Sequence, residues 1–207
     1  MIVAVDGPAA SGKGTIARAV AARFGLPHMD SGLLYRAAAL NLLALGLDPE
    51  SEFQATRACD LSQIDFDDPD LRSEAVGGIA SRISTYPLVR EALLERQRRF
   101  AAQPGGAVLD GRDIGTVIAP EADAKLFVTA SPEVRAQRRY AELKRIGLDI
   151  HLPDVLADIR ARDERDRGRA EAPLRPAEDV RALRERPCRS VGPGPSSASE
   201  ARARPPV

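Results

Sequence analysis

The chain has 207 residues, enough for one hydrophobic core and a small insertion. It is 43% hydrophobic and 29% charged with a formal net charge of zero, which excludes a bulk basic field for nucleic acid. Its two cysteines, Cys59 and Cys188, have no metal-ligand spacing, no apolar run approaches a membrane span, and no signal peptide opens the chain, so a soluble protein of a reducing cytoplasm is expected.

In chain order, "IVAV" (2–5) is apolar and branched throughout, the pattern of a strand buried on both faces of a parallel sheet. A helix is predicted over 14–24, with Ile16, Val20 and Phe24 on one face and Gly25 as its stop. "LPHMD" (26–30) reads as a second strand, and 33–45 as a helix ended by Gly46. Residues Val89, Leu93, Gln97 and Phe100 mark another helix behind Pro87. "GAVLD" (106–110) and "AKLFVTA" (124–130) are further strands. Ser131, Pro132 and Glu133 supply an N-cap, a first-turn proline and a first-turn acid for a helix running to about Gly147, and another covers about 154–167. Alternating strands and helices make the class α/β with a parallel sheet flanked by helices. His28 and His151 are isolated and receive no role.

The stretch Gly7-Pro8-Ala9-Ala10-Ser11-Gly12-Lys13-Gly14-Thr15 is G-x-x-x-x-G-K with the hydroxyl displaced one place by Gly14. A strand feeds a glycine loop whose N–H groups turn inward, and the following helix adds its positive end. Lys13 is placed to reach the β/γ oxygens of a bound triphosphate, and Thr15 to hold Mg²⁺, directly or through water. A GTPase would also need N-K-x-D and D-x-x-G; the sole asparagine is Asn41, and D-x-x-G does not occur. Three polar islands follow strands or sit late in the chain: "DSGLLYR" (30–36), "DGRD" (110–113) and "RARDERDRGR" (160–169). Arginines interleaved with acids suit a site that handles several phosphates. By themselves these features leave open a P-loop kinase for a nucleotide or another small acceptor such as shikimate, or a nucleotide-binding module without turnover.

Together with "PLVREALLERQRRF" (87–100), "LDGRDIGTV" (109–117), "VRAQRRYAEL" (134–143) and "ARDERDRGRAEAPLRPA" (161–177), these islands resemble one family, the bacterial cytidylate kinases. The likeness covers about residues 1–179. It implies a three-layer P-loop NTPase fold and transfer of the ATP γ-phosphate to CMP or dCMP; a monomer with no nucleic-acid or membrane partner is expected. It further implies that Ser31, Arg36, Arg112 and Arg169 hold the CMP phosphate, and that Arg162 works beside Arg169 near the transferred group. Asp166 would bind the sugar hydroxyls, while Ser81, Arg90 and Asp113 would read cytosine. Arg135, Arg138 and Arg139 would begin a lid over the donor phosphates, spanning about 135–165. Lys13, Arg112, Arg162 and Arg169 would be the catalytic set.

Two departures from the family pattern stand out. The acceptor-binding insertion, about 50–88 between core segments 1–49 and 89–180, holds no evident hairpin and is expected to be short and mostly helical. From Arg181 to Val207 the chain carries five prolines, six arginines and two acids, without periodicity, where the resemblance implies an apolar strand and a final helix. That composition predicts disorder and a sheet lacking its last edge strand. It is what a shifted reading frame would produce; an unaltered gene sequence and a matching intact mass of the natural protein would exclude that origin.

Overall fold

The computed structural model describes residues 1–184. Its centre is β1 (Ile2–Asp6), whose alternate residues serve opposite layers. Val3 and Val5 pack with Ala17 and Ala21 of α1 (Lys13–Phe24), and Ala4 packs with Leu109, Ile114 and Ile118 on the other face. The helix face predicted from Ile16, Val20 and Phe24 is therefore rotated. Small Ala17 and Ala21 meet the sheet, Ile16 and Val20 flank them, and Phe24 is 59% exposed. Alanines let the helix axis lie close over the strands, which larger side chains would prevent.

The remaining strands are β2 (His28–Asp30), β3 (Ala107–Gly111), β4 (Ala124–Thr129) and β5 (Arg181–Arg184). All pair in parallel, in the order β2-β3-β1-β4-β5. The strand order reverses at β1, so the loop after it opens into the crevice where α/β sheets take their ligands. The edge strand expected to be missing is present: Arg181 to Arg184 pair with Leu126 to Thr129. Parallel pairing is made by backbone N–H and C=O groups, so a polar edge strand can complete a sheet that its composition does not announce. The rest of the tail expected to be disordered, 185–207, lies outside the described residues.

Helix α2 (Ser31–Ala44) begins two residues before its predicted start, because the Asp30 carboxylate accepts from the Gly32 N–H at 2.9 Å and caps it. The stretch 50–88 holds α3 (Glu52–Arg57), a 3₁₀ turn (Pro69–Arg72) and α4 (Glu74–Ile83), with no strand. These pack on α2 and α5 (Pro87–Ala101) through Leu34, Leu42, Leu71, Ile83, Val89 and Leu93. Helices α6 (Pro132–Arg145) and α7 (Leu152–Arg167) close on each other through Ala136, Leu143, Val155 and Ile159, with Ala9 of the glycine loop in the same cluster.

Candidate active site

The loop between β1 and α1 is shaped by what its residues lack. A Cβ on Gly7 would run into the Val128 carbonyl oxygen. Gly12 takes a left-handed φ of 93° as the N-cap of α1 and offers no capping side chain, so the helix start is left to an anion. Ala10 is held at φ 56°, strain of order 1–2 kcal/mol that a binding loop can retain. Pro8 and Ala9 carry the chain across, and the Ser11 hydroxyl is buried with no hydrogen-bond partner among the described residues. Gly14 and the exposed Thr15 open the helix behind Lys13.

Lys13 stands at the meeting of two charge sets. Burial, then the Arg112 guanidinium, push its ammonium down to about 8, while Asp110 and Asp30 pull the other way. Asp110, at the end of β3, faces Gly14 and is held by His28 Nε2 at 2.7 Å across the strand pair. Two carboxylates to which the sequence assigned no role shape this floor: Asp110 of "DGRD", and Asp6 at the end of β1. Asp6 accepts from the Ile114 and Gly115 N–H groups at 2.9 and 2.8 Å and so fixes the π-helical turn (Ile114–Ile118) after "DGRD". Burial pushes its carboxyl up to about 6, tempered by those two amides. The available signal was position alone, an acid as the last residue of an apolar strand.

A cleft brings together Ser31, Arg90, Arg112, Asp113, Arg162 and Arg169, joined by Tyr35 and Ser84. Arg112, Arg162 and Arg169 surround one carboxylate, Asp166. Its Oδ2 accepts from Arg112 Nε at 2.7 Å and its Oδ1 from Arg169 Nη2 at 2.5 Å. Burial alone would raise this acid, but Arg112, Arg169 and Arg162 hold it below the usual carboxylate range. Asp166 was expected to bind sugar; here it is 1% exposed and anchors the arginines, both oxygens being engaged. Arg162 has no such anchor. Burial, then the charge of Arg112, push it down to about 9, and its Nε is buried without a partner among the described residues, as is that of Arg169. Arg90 and Asp113, expected to read a base, are bonded to each other and nearly buried.

The remaining predicted residues all have protein partners. Arg135 lies against the glycine loop with its charge turned inward. Its guanidinium is 1% exposed, bidentate to Asp163 at 2.9 and 2.5 Å, and bonded to the carbonyls of Ala130 and Ala9. Helical spacing turns it inward, where a buried charge needs a partner, and α7 supplies one. Arg138 donates to the Ser11 carbonyl at 3.2 Å, and Arg139 pairs with Glu142 and, across to α4, with Glu74. Ser31 donates to the Asp110 carbonyl at 2.9 Å. Arg36 donates to the Leu71 and Ser73 carbonyls, in space kept open by Gly77. Ser81 meets Arg165 Nε at 3.3 Å, a contact no sequence signal suggested.

Residues 3–185 match the family model described as cytidylate kinase. The chain is 56% identical over 184 residues to the cytidylate kinase of Methylocella silvestris, covering 88% of this chain and 85% of that one. It is 58% identical over 183 residues to that of Xanthobacter autotrophicus (87% and 86%) and 54% over 184 to that of Rhodopseudomonas palustris (88% and 87%).

Proposed function

We infer the workings of the site from one premise: the chain belongs to the cytidylate kinase family. It transfers the γ-phosphate of ATP to CMP or dCMP, giving ADP and CDP or dCDP. One observation carries the assignment of roles. Arg112 and Arg169 share a single buried carboxylate beside the lysine of a phosphate loop, with Arg162 in its field, and the buried Nε–H groups of Arg162 and Arg169 have no partner among the described residues. A buried donor without an acceptor is unfavourable until a ligand supplies one, and polyphosphate supplies several.

The loop from Gly7 to Thr15 receives the donor phosphates, with Lys13 on the β/γ oxygens. Arg112, Arg162 and Arg169 meet the acceptor phosphate and the charge spread over the transferring group. Ser31 and Arg36, closed on backbone carbonyls in the free protein, turn to the CMP phosphate when it arrives. Arg90, Asp113 and Ser81 present guanidinium, carboxylate and hydroxyl to cytosine, and Asp166 holds the arginines against the sugar. An oxygen of the CMP phosphate attacks the γ-phosphorus in line as ADP departs; the attacking group is already an anion, so no base is assigned. Arg138 and Arg139 lie on the helix that covers the donor side, and closure there excludes water.

A divalent metal accompanies ATP in this family's chemistry. The described residues hold no cluster of three or more carboxylate, histidine or cysteine ligands. That fits Mg²⁺ held mainly by phosphates and water, with the Thr15 hydroxyl as its protein ligand, where it would neutralise charge on the β/γ oxygens. No described helix is long and apolar enough to cross a membrane. A cytoplasmic monomer acting on free nucleotides is the proposed setting.

Side-by-side turnover of CMP, dCMP, UMP and AMP with ATP tests the assignment, with ADP release followed with and without acceptor. CMP and dCMP should dominate. AMP or UMP turned over as fast as CMP would sink the base-reading set, and ADP release indifferent to CMP would sink the acceptor site.

A further inference from the structure

Ser84 caps the C-terminal end of α4 and lines the acceptor cleft at 5% exposure. Its hydroxyl donates to the Ser81 carbonyl one turn back, at 2.9 Å. A hydroxyl has one proton, so what it offers elsewhere is a lone pair. Arg169 Nη2 donates to that lone pair at 2.9 Å. The Ser84 carbonyl accepts from Arg90 Nη1 at 3.4 Å. One residue thus touches the arginine on the base side and the arginine on the phosphate side.

The geometry gives this contact a direction. Arg169 Nη2 is fixed by two acceptors, Asp166 Oδ1 from α7 and Ser84 Oγ from the cap of α4, and its Nε stays buried without a partner among the described residues. Two acceptors on one nitrogen set the plane of the guanidinium and so the heading of the open Nε–H. Remove one and the plane can turn about the other. On the other side of Ser84, Arg90 is paired with Asp113, so any base that reorders that pair acts on the α4 end that carries Ser84.

We propose that Ser84 is a positioning and specificity-determining residue. It ties the phosphate-side Arg169 to the helix end that also holds the base-side Arg90, so that the fit of the base sets the aim of the phosphate clamp. This rests on the roles given above to Arg90, Asp113 and Arg169. A merely structural serine would, when lost, lower turnover of all acceptors alike. A coupling residue, when lost, lowers turnover of the base that fits and hardly touches one that never engaged the pair.

The test compares kcat and KM for CMP and UMP in the full chain and in Ser84→Ala, Ser84→Thr and Arg169→Lys, with thermal midpoints for each. In Ser84→Ala, kcat/KM for CMP should fall about 10- to 30-fold, as for loss of an acceptor to a charged donor, and that for UMP less than about threefold. The CMP-to-UMP ratio then narrows roughly tenfold. Ser84→Thr, which keeps the hydroxyl, should hold the ratio within about threefold of the parent. An unchanged ratio in Ser84→Ala overturns the proposal, whether both substrates fall together or neither falls, and that ratio decides alone if the threonine variant is unstable. Arg169→Lys separates the two levels. If it leaves CMP use at the parent value, the site assignment fails; if it impairs CMP use while Ser84→Ala does not narrow the ratio, only the coupling fails.

Discussion

Replacing Arg135 by Met tests whether this arginine is a strut or a phosphate ligand. The change removes a bidentate bond at 2.9 and 2.5 Å to Asp163, whose side chain is 3% exposed, and bonds to two carbonyls. Arg167 Nη2, 3.7 Å from Asp163 and mostly in solvent, is too distant to replace it. Breaking one side of a buried pair destabilises by about 3–5 kcal/mol. At about 2–4 °C per kcal/mol for a domain of this size, the midpoint should drop roughly 6–20 °C. Removing the stranded acid as well, in Arg135→Met with Asp163→Leu, should recover most of that loss, because an apolar pair of similar volume satisfies the same space. The measurement is a double-mutant cycle by urea unfolding, with the KM for ATP taken on each folded variant. The strut reading expects a coupling of at least about 2 kcal/mol and a double variant whose KM for ATP stays within roughly tenfold. A stable Arg135→Met protein with a KM for ATP raised a hundredfold would refute the reasoning and return Arg135 to the donor site.

Other outcomes follow from the same site. Burial holds the Lys13 ammonium down to about 8, below its ordinary 10.5; bound phosphate raises it, so ATP binding should take up a proton above about pH 8 and weaken as pH rises further. Calorimetry at pH 8.5 in buffers of different ionisation enthalpy would show the uptake, and equal heats in all buffers would exclude it. Arg162, unanchored and pushed down to about 9, opposes folding in the absence of substrate, so Arg162→Met should keep or raise the thermal midpoint while lowering kcat by at least about a hundredfold. A lower midpoint with normal turnover would contradict both halves. His28→Leu should strand the buried Asp110 oxygen and destabilise by about 1–3 kcal/mol in urea unfolding, whereas His28→Gln, which can still donate, should recover part of that loss.

Several features of this molecule depend on neighbours in the chain, and these were legible in the residues. The phosphate loop is one, because glycine geometry, a lysine and a helix start are contained within nine consecutive positions. The strand at 2–5 and the Ser131-Pro132 helix start are others, since burial pattern and capping act over one or two turns. The positions of "DSGLLYR", "DGRD" and "RDERDRGR" marked where charge would gather. They could not say which arginine takes which acid. Arg112 finds Asp166 54 positions away, Arg135 finds Asp163 28 away, and Arg169 finds Ser84 85 away. A guanidinium is the same group whether it braces a helix pair or waits for phosphate; what differs is the acceptor the fold places against it. The last strand has the same cause. Its composition is that of a solvated segment, but the exposed backbone edge of β4 gives Arg181–Arg184 partners whose pairing takes no account of side chains. Sequence by itself determined the chemistry this chain carries, since motifs are local; tertiary structure decided which charges are satisfied and which remain open, since satisfaction requires a partner brought from elsewhere in the chain.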